Sequence, residues 1–252
     1  MGEAGGSTVG AIGTGWAVHG EVRVHYLEAR PEGRGPAVLI VPGFGEEAAD
    51  HHELLAALAP RRAVAVDLRG RGPSTAPPDG YRLEGHVGDL EAAATAAGLG
   101  RVHVVTYSRG TTYGLAWALA HPDRVASITI GDYPAAQLVP PASWVDKAAR
   151  RIWRGRPMTD RMSRASMAAM VNDAVSVEFW DALAGLARPV QVIRGGNGGM
   201  VDDTTAARYA SAVADLRMVT FESSGHDLWS PDPQRFPTTV RSFLDEVDRS
   251  TR

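Results

Sequence analysis

Ala37-Val38-Leu39-Ile40-Val41 is an unbroken apolar run closed by Pro42-Gly43. So short a run, rich in β-branched residues and bounded by turn formers, fits a strand buried on both faces. Such a strand needs a covering layer above and below it. Ala63 to Val66, Val102 to Val105, Ile128 to Ile130, Val190 to Ile193 and Met218 to Phe221 repeat the pattern, and Val22 to Leu27 alternates with period two. Helical spacing lies between these runs. Leu54, Leu55, Leu58 and Ala59 share a face; Leu83 to Leu99 forms a second segment; Thr111 to His121 forms a third, stopped by Pro122. Val240, Phe243, Leu244 and Val247 keep the spacing of a docked C-terminal helix. The alternation predicts an α/β fold: a mostly parallel central sheet flanked by helices.

The alternation breaks once. Residues 134–188 contain no convincing strand, only short helical patterns carrying four of the seven methionines and three tryptophans. An insertion late in a parallel sheet predicts a small helical cap over the strand ends. Residues 1–252 are otherwise expected to form a single domain, a size one α/β unit reaches. Residues 1–14 are glycine-rich and expected to fray. The start of the chain lacks a basic and an apolar signal region, and no apolar run approaches the ~20 residues of a bilayer span. A cytoplasmic protein is the expectation. A formal net charge of −3 gives no electrostatic footprint for nucleic acid or an anionic membrane. With no cysteine, disulfides, thiolate metal sites and a cysteine nucleophile are excluded.

The segment Val102-His103-Val104-Val105-Thr106-Tyr107-Ser108-Arg109-Gly110 runs a strand into a serine and then a helix. A nucleophile on so sharp a turn stands clear of the sheet, and the turn favours small residues two before and two after it. Gly110 meets the second demand; Thr106 stands where the first glycine of G-x-S-x-G would be. Upstream lie Val41-Pro42-Gly43-Phe44-Gly45 and Val66-Asp67-Leu68-Arg69-Gly70-Arg71-Gly72-Pro73-Ser74; downstream lies Ser224-Gly225-His226-Asp227-Leu228. In this order the four motifs resemble the α/β-hydrolase superfamily, in particular its haloperoxidase, epoxide hydrolase and dehalogenase-like branch, over roughly residues 16–247.

The resemblance implies roles for the matching positions. Ser108 is the nucleophile, and His226, past the last strand, is its base. The backbone N–H groups of Phe44 and Arg109 form the oxyanion hole, although Pro42 replaces the family's histidine. The turn from Asp67 to Ser74 is structural. Most members carry the triad acid in the loop matching Arg194 to Asp202, but glycine occupies its place near Gly198 and Gly199. Some dehalogenase-like members place it one strand earlier, where Asp132 ends Ile128-Thr129-Ile130-Gly131. Asp132 is therefore the expected acid, with Asp202 as the alternative. Of the other histidines, His103 reads as a core residue, while His51, His52 and His121 read as helix-surface or helix-end residues. The Arg109 side chain is expected to be structural.

A serine rather than a carboxylate nucleophile points away from dehalogenation and epoxide opening and toward acyl chemistry. The expected function is hydrolysis of a small, apolar or aromatic ester or thioester through an acyl-enzyme, with Trp153 and Met162 of the cap contacting the acyl group. Two alternatives stay open. One is an acyltransferase moving an acyl group from a carrier thioester, with an acyl carrier protein as partner, in natural-product biosynthesis. The other is a fold relative that binds or isomerises a ligand without covalent chemistry. No metal or cofactor is called for.

Overall fold

The structure, a computed structural model, describes residues 12–30 and 35–250. Strands β1 (Ile12–His19), β2 (Val22–Ala29), β3 (Ala37–Val41), β4 (Ala63–Val66), β5 (Val102–Tyr107), β6 (Val125–Gly131), β7 (Val190–Gly195) and β8 (Leu216–Phe221) form one sheet of eight strands among the described residues, in the order β1-β2-β4-β3-β5-β6-β7-β8. β1 and β2 pair antiparallel, as do β2 and β4; every later pairing is parallel. All residues of β3, β4, β5 and β6 are buried, as their continuous apolar runs predict.

Helices α1 (His52–Ala57), α2 (Leu83–Ala96) and α3 (Gly110–Ala120) connect the first parallel strands. Between β6 and β7 come α4 (Trp144–Ala149), α5 (Arg164–Asn172) and α6 (Trp180–Gly185); α7 (Asp203–Ala212) and α8 (Arg235–Ser250) complete the fold. Leu39 and Val41 of β3 join a buried apolar cluster with α2 and α3 residues; Val38 and Ile40 join another with α1 and α8. Each strand thus buries alternate side chains in opposite cores.

Two expectations are corrected. Residues 12–14 begin β1; the rest of the glycine-rich stretch, residues 1–11, lies outside the described residues. β1 gives little apolar signal because most of its residues are partly or fully exposed, and it forms by pairing with β2 along its whole length. Residues 134–188 do hold strands: Ala136–Gln137 pairs with Val177–Glu178, and Ile152–Trp153 pairs with Arg156–Pro157. Two residues are too few to show a period. None of these joins the main sheet.

His103 sits in β5 with its Nδ1 2.8 Å from Ser127 Oγ and its Nε2 3.2 Å from Asp248 Oδ1 of α8. Burial lowers its pKa to about 4, against the opposing pull of Asp248. His86 is also held well below 6.5, first by burial and then by the Arg71 guanidinium. In the unfolded chain both take up a proton near pH 6.5. Between that pH and about 4 the unfolded state therefore binds more protons, so stability falls as pH falls. Urea unfolding at pH 7.5, 6 and 5 should show this decline, at most about 1.4 kcal/mol per pH unit for each histidine. His103→Gln should flatten it; an unchanged slope would show that His103 does not contribute.

Candidate active site

Parallel pairing aligns the ends of β5 and β6, with Tyr107 opposite Gly131. The next residues, Ser108 and Asp132, leave their strands side by side. Both take left-handed backbone, with φ of 51° and 48°. That region is sparsely used by residues with a Cβ and persists only where surroundings enforce it. Here Ser108 N donates to Gly131 O at 2.7 Å and Asp132 N donates to Ile193 O of β7 at 2.8 Å. The turn after β3 completes the group: a Cβ on Gly43 would lie 3.2 Å from Ser108 Cβ.

The Ser108 turn also explains how threonine substitutes for the motif's first glycine. Thr106 Oγ1 donates to Thr129 O at 3.0 Å and lies 3.0 Å from Thr111 Oγ1. Its methyl occupies space that Gly114 of α3 leaves open: a Cβ there would come within 2.4 Å of Thr106 Cγ2. Gly110 lets the start of α3 pack against β3, since a Cβ there would sit 2.3 Å from Val41 O.

His226 lies in the loop after β8. Its Nε2 is 2.9 Å from Ser108 Oγ and its Nδ1 is 2.8 Å from Asp132 Oδ2. With the proton on Nδ1, the imidazole donates to Asp132 and accepts from the serine hydroxyl. Tyr107 holds this loop: its hydroxyl donates to His226 O at 2.5 Å, and the two rings stack with centroids 5.4 Å apart. The Asp132 carboxylate is fully buried. It accepts from the N–H groups of Gly195 (3.2 Å), Met200 (2.9 Å) and Val201 (3.3 Å) as well as from His226. A Cβ on Gly199 would stand 2.7 Å from Asp132 Oδ1 and 2.6 Å from Gly195 O. The loop that lacks an acid thus wraps the carboxylate supplied by β6. Asp202, the alternative acid, is instead the N-cap of α7, accepting from Thr205 N at 2.7 Å. Asp227 faces Arg154, with 3.1 Å between Oδ1 and Nη2.

Ser108 and His226 open into a cavity of about 720 Å³. Phe44, Trp144, Trp153, Leu138, Met158 and Met200 supply much of its apolar wall. Trp153 is there as expected. Met162 is not among the lining residues; it is 1% exposed within the core beneath. The 3-10 turn Met158–Asp160 puts Met158 on the wall and Met162 behind it, and residue type alone does not select a face. The Phe44 and Arg109 residues border the cavity, and among the described residues their backbone N–H groups make no hydrogen bond within the protein. The Arg109 side chain donates from Nε to Tyr113 Oη at 3.1 Å and from Nη1 to Leu138 O at 2.9 Å, tying α3 to the inserted segment.

One charged group at the site escapes sequence reasoning. Glu46, on the cavity wall, accepts from Gly43 N at 2.9 Å and lies 3.2 Å from His51 Nε2 and from Arg154 Nη2. Burial alone would raise its pKa, but the facing His51 and Arg154 outweigh that and hold it at about 2. His51 is therefore a buried partner of Glu46 and not a helix-surface residue. The acidic Glu46-Glu47 pair after Gly45 is the one local signal for this group. Its cation comes from residue 154, which proximity in sequence cannot reveal.

Residues 36–158 match the family profile described as the alpha/beta hydrolase fold. The chain is 25% identical over 244 residues to a putative carbamate hydrolase, RutD, of Caulobacter segnis, covering 82% of this chain and 91% of the relative. It is 24% identical to the N-formylmaleamate deformylase of Pseudomonas putida, covering 89% of this chain and 93% of that protein. The crystal structure of the enol-lactonase from Burkholderia xenovorans LB400 superimposes with a TM-score of 0.77 at 21% identity, covering 92% of this chain and 100% of that one. The fold and its site define the class. This chain has the α/β-hydrolase fold, and residues 36–158 of it match that family's profile.

The contacts around Asp132 make a prediction. Gly199→Ala forces its new Cβ into the carboxylate and a backbone carbonyl, and should lower stability by about 1–3 kcal/mol in urea unfolding. Gly185→Ala, where nothing lies within 4 Å of the new Cβ, should not. Equal effects would mean that the loop does not close on Asp132.

Proposed function

We propose that this chain is a serine hydrolase that cleaves a small ester or thioester through an acyl-enzyme. The observation that carries this reading is the continuous hydrogen-bonded chain from Ser108 through His226 to Asp132, opening into the cavity. A serine hydroxyl is a weak nucleophile at neutral pH, and an imidazole in contact removes that obstacle. As Ser108 Oγ attacks the acyl carbon, His226 Nε2 takes its proton. Asp132 holds the ring in the required tautomer and stabilises the imidazolium without itself being protonated. The N–H groups of Phe44 and Arg109 receive the oxyanion; a single such donor is worth about 3 kcal/mol of transition-state stabilisation. His226 then passes its proton to the leaving group. Water, deprotonated by the same ring, releases the acid and restores the serine. The segment between β6 and β7 serves as the cap, with Trp153 and Met158 against the acyl group. The relatives named above, for a carbamate, a formyl group and an enol-lactone, support hydrolysis while differing in substrate.

The test is covalent labelling with a fluorophosphonate, followed by intact mass and peptide mapping. A single adduct on Ser108 is expected, absent in Ser108→Ala and strongly slowed in His226→Ala. On a p-nitrophenyl ester, kcat/KM should fall about 10⁴-fold in Asp132→Asn and about 10⁶-fold in Ser108→Ala. Turnover unchanged in Ser108→Ala would sink the proposal and favour non-covalent chemistry. An ester product formed with added alcohol would identify an acyl acceptor other than water.

A further inference from the structure

The cavity's charges do not balance. Lys147, Arg150 and Arg151 line it beside Arg109, and Glu46 is the one carboxylate among the lining residues. That carboxylate is already held by Arg154 and His51. Lys147 and Arg150 are exposed and, among the described residues, form no ion pair with a carboxylate. They lie at positions i and i+3 of the last turn of α4 and its cap, so they share a face, and Arg151 follows directly. Arg151 is held over the Trp153 ring, 4.6 Å from its centroid. That contact orients the guanidinium and uses its face, leaving the N–H edge for a ligand. Neighbouring charges on the same segment are paired: Asp146 with Arg164, Arg154 with Glu46 and Asp227, Arg156 with Glu47. Between Lys147 and Arg164, the cations left over are the three that meet the cavity.

A second observation lies deeper. Arg109, next to Ser108, is 6% exposed, and no carboxylate among the described residues pairs with it. Its partners are the phenols of Tyr113 and Tyr133 and the backbone carbonyl of Leu138, none of them a carboxylate. A buried cation without a counter-ion costs free energy that an incoming anion offsets.

We propose that the substrate carries an anionic oxyacid group, a carboxylate or a phosphate, which Lys147, Arg150 and Arg151 bind at the cavity rim while its apolar body lies against Phe44, Trp144 and Trp153. The position of the scissile bond rests on the serine-hydrolase reading; the anion site does not. The cluster steers anions inward and selects among acyl compounds by their far end.

Equilibrium binding to the full chain tests this with three probes: glutarate, n-propyl phosphate and neutral glutaramide. At low salt at least one anion should bind about tenfold or more tighter than glutaramide, and added salt should weaken it. In the Lys147→Gln/Arg150→Gln/Arg151→Gln variant that advantage should disappear, and Arg150→Glu alone should reduce it. These side chains are exposed, and a thermal melt reports whether each variant stays folded. The tighter anion assigns the class: carboxylate for an acid-bearing ester, phosphate for a phosphate-tailed acyl donor such as a carrier thioester. No anion preference in wild type, or one that survives in both variants, overturns the proposal. Labelling of Ser108 separates the two readings. A chain labelled there without anion preference loses the rim alone; one preferring anions without labelling loses the serine chemistry alone.

Discussion

The site depends on satisfying the hydrogen bonds of one carboxylate buried away from water. An unpaired buried carboxylate costs several kcal/mol. Asp132 avoids that cost because three backbone N–H groups and His226 Nδ1 converge on it. Two of the N–H groups lie in the loop after β7 and the third belongs to β7's last residue, so the carboxylate fastens β6, β7 and the His226 loop at one end of the sheet. Asp132 is held in left-handed backbone by the contact of its own N–H with Ile193 O. Ser108 is held in that region by the matching contact one strand earlier. The two strained residues thus follow from two neighbouring registers, in which Tyr107 lies opposite Gly131 and Gly131 opposite Ile193.

What was legible in the sequence follows from where the signal is stored. β3 to β6 are buried on both faces, so their apolar runs declare them. β1 is half exposed and owes its existence to β2, so nothing in its own residues announces it. The meeting of Ser108, Asp132 and His226 was legible because the first two directly follow β5 and β6 and the third lies in the loop after β8, and strand ends can be read from the runs before them. The missing acid near Gly199 looked like a defect in the sequence; in three dimensions that glycine is the space Asp132 fills. Thr106 and Gly114 make a similar pair: the larger residue at one position is matched by the smaller at the other. Met158 and Met162 were indistinguishable by type, and only the turn between them decides which reaches the cavity.

The inserted segment is the part least encoded locally. Its two-residue strand pair turns through Arg154 and Gly155, both at positive φ, 44° and 76°. Two consecutive residues of that kind make the tight turn favoured in hairpins. The turn sends Arg154 inward, where it lies over the Trp229 ring at 4.1 Å and meets both Glu46 and Asp227. Glu46 belongs to the turn that carries the Phe44 N–H, and Asp227 is the residue after His226. One guanidinium therefore joins the insertion to the turn that carries Phe44 and to the His226 loop. Replacing it with an apolar residue would leave Glu46 buried with only His51 and the Gly43 N–H as partners.

This pairing also sets the sign of the field in the cavity. Arg154 and His51 answer the charge of Glu46, and His226 with the loop amides answers that of Asp132. Both carboxylates near Ser108 and His226 are thereby partnered from within the protein. Arg109, Lys147, Arg150 and Arg151 have no such answer. The electrostatics that hold the insertion in place thus leave an excess of positive charge around the opening. An anion entering there completes the balance that the fold leaves open.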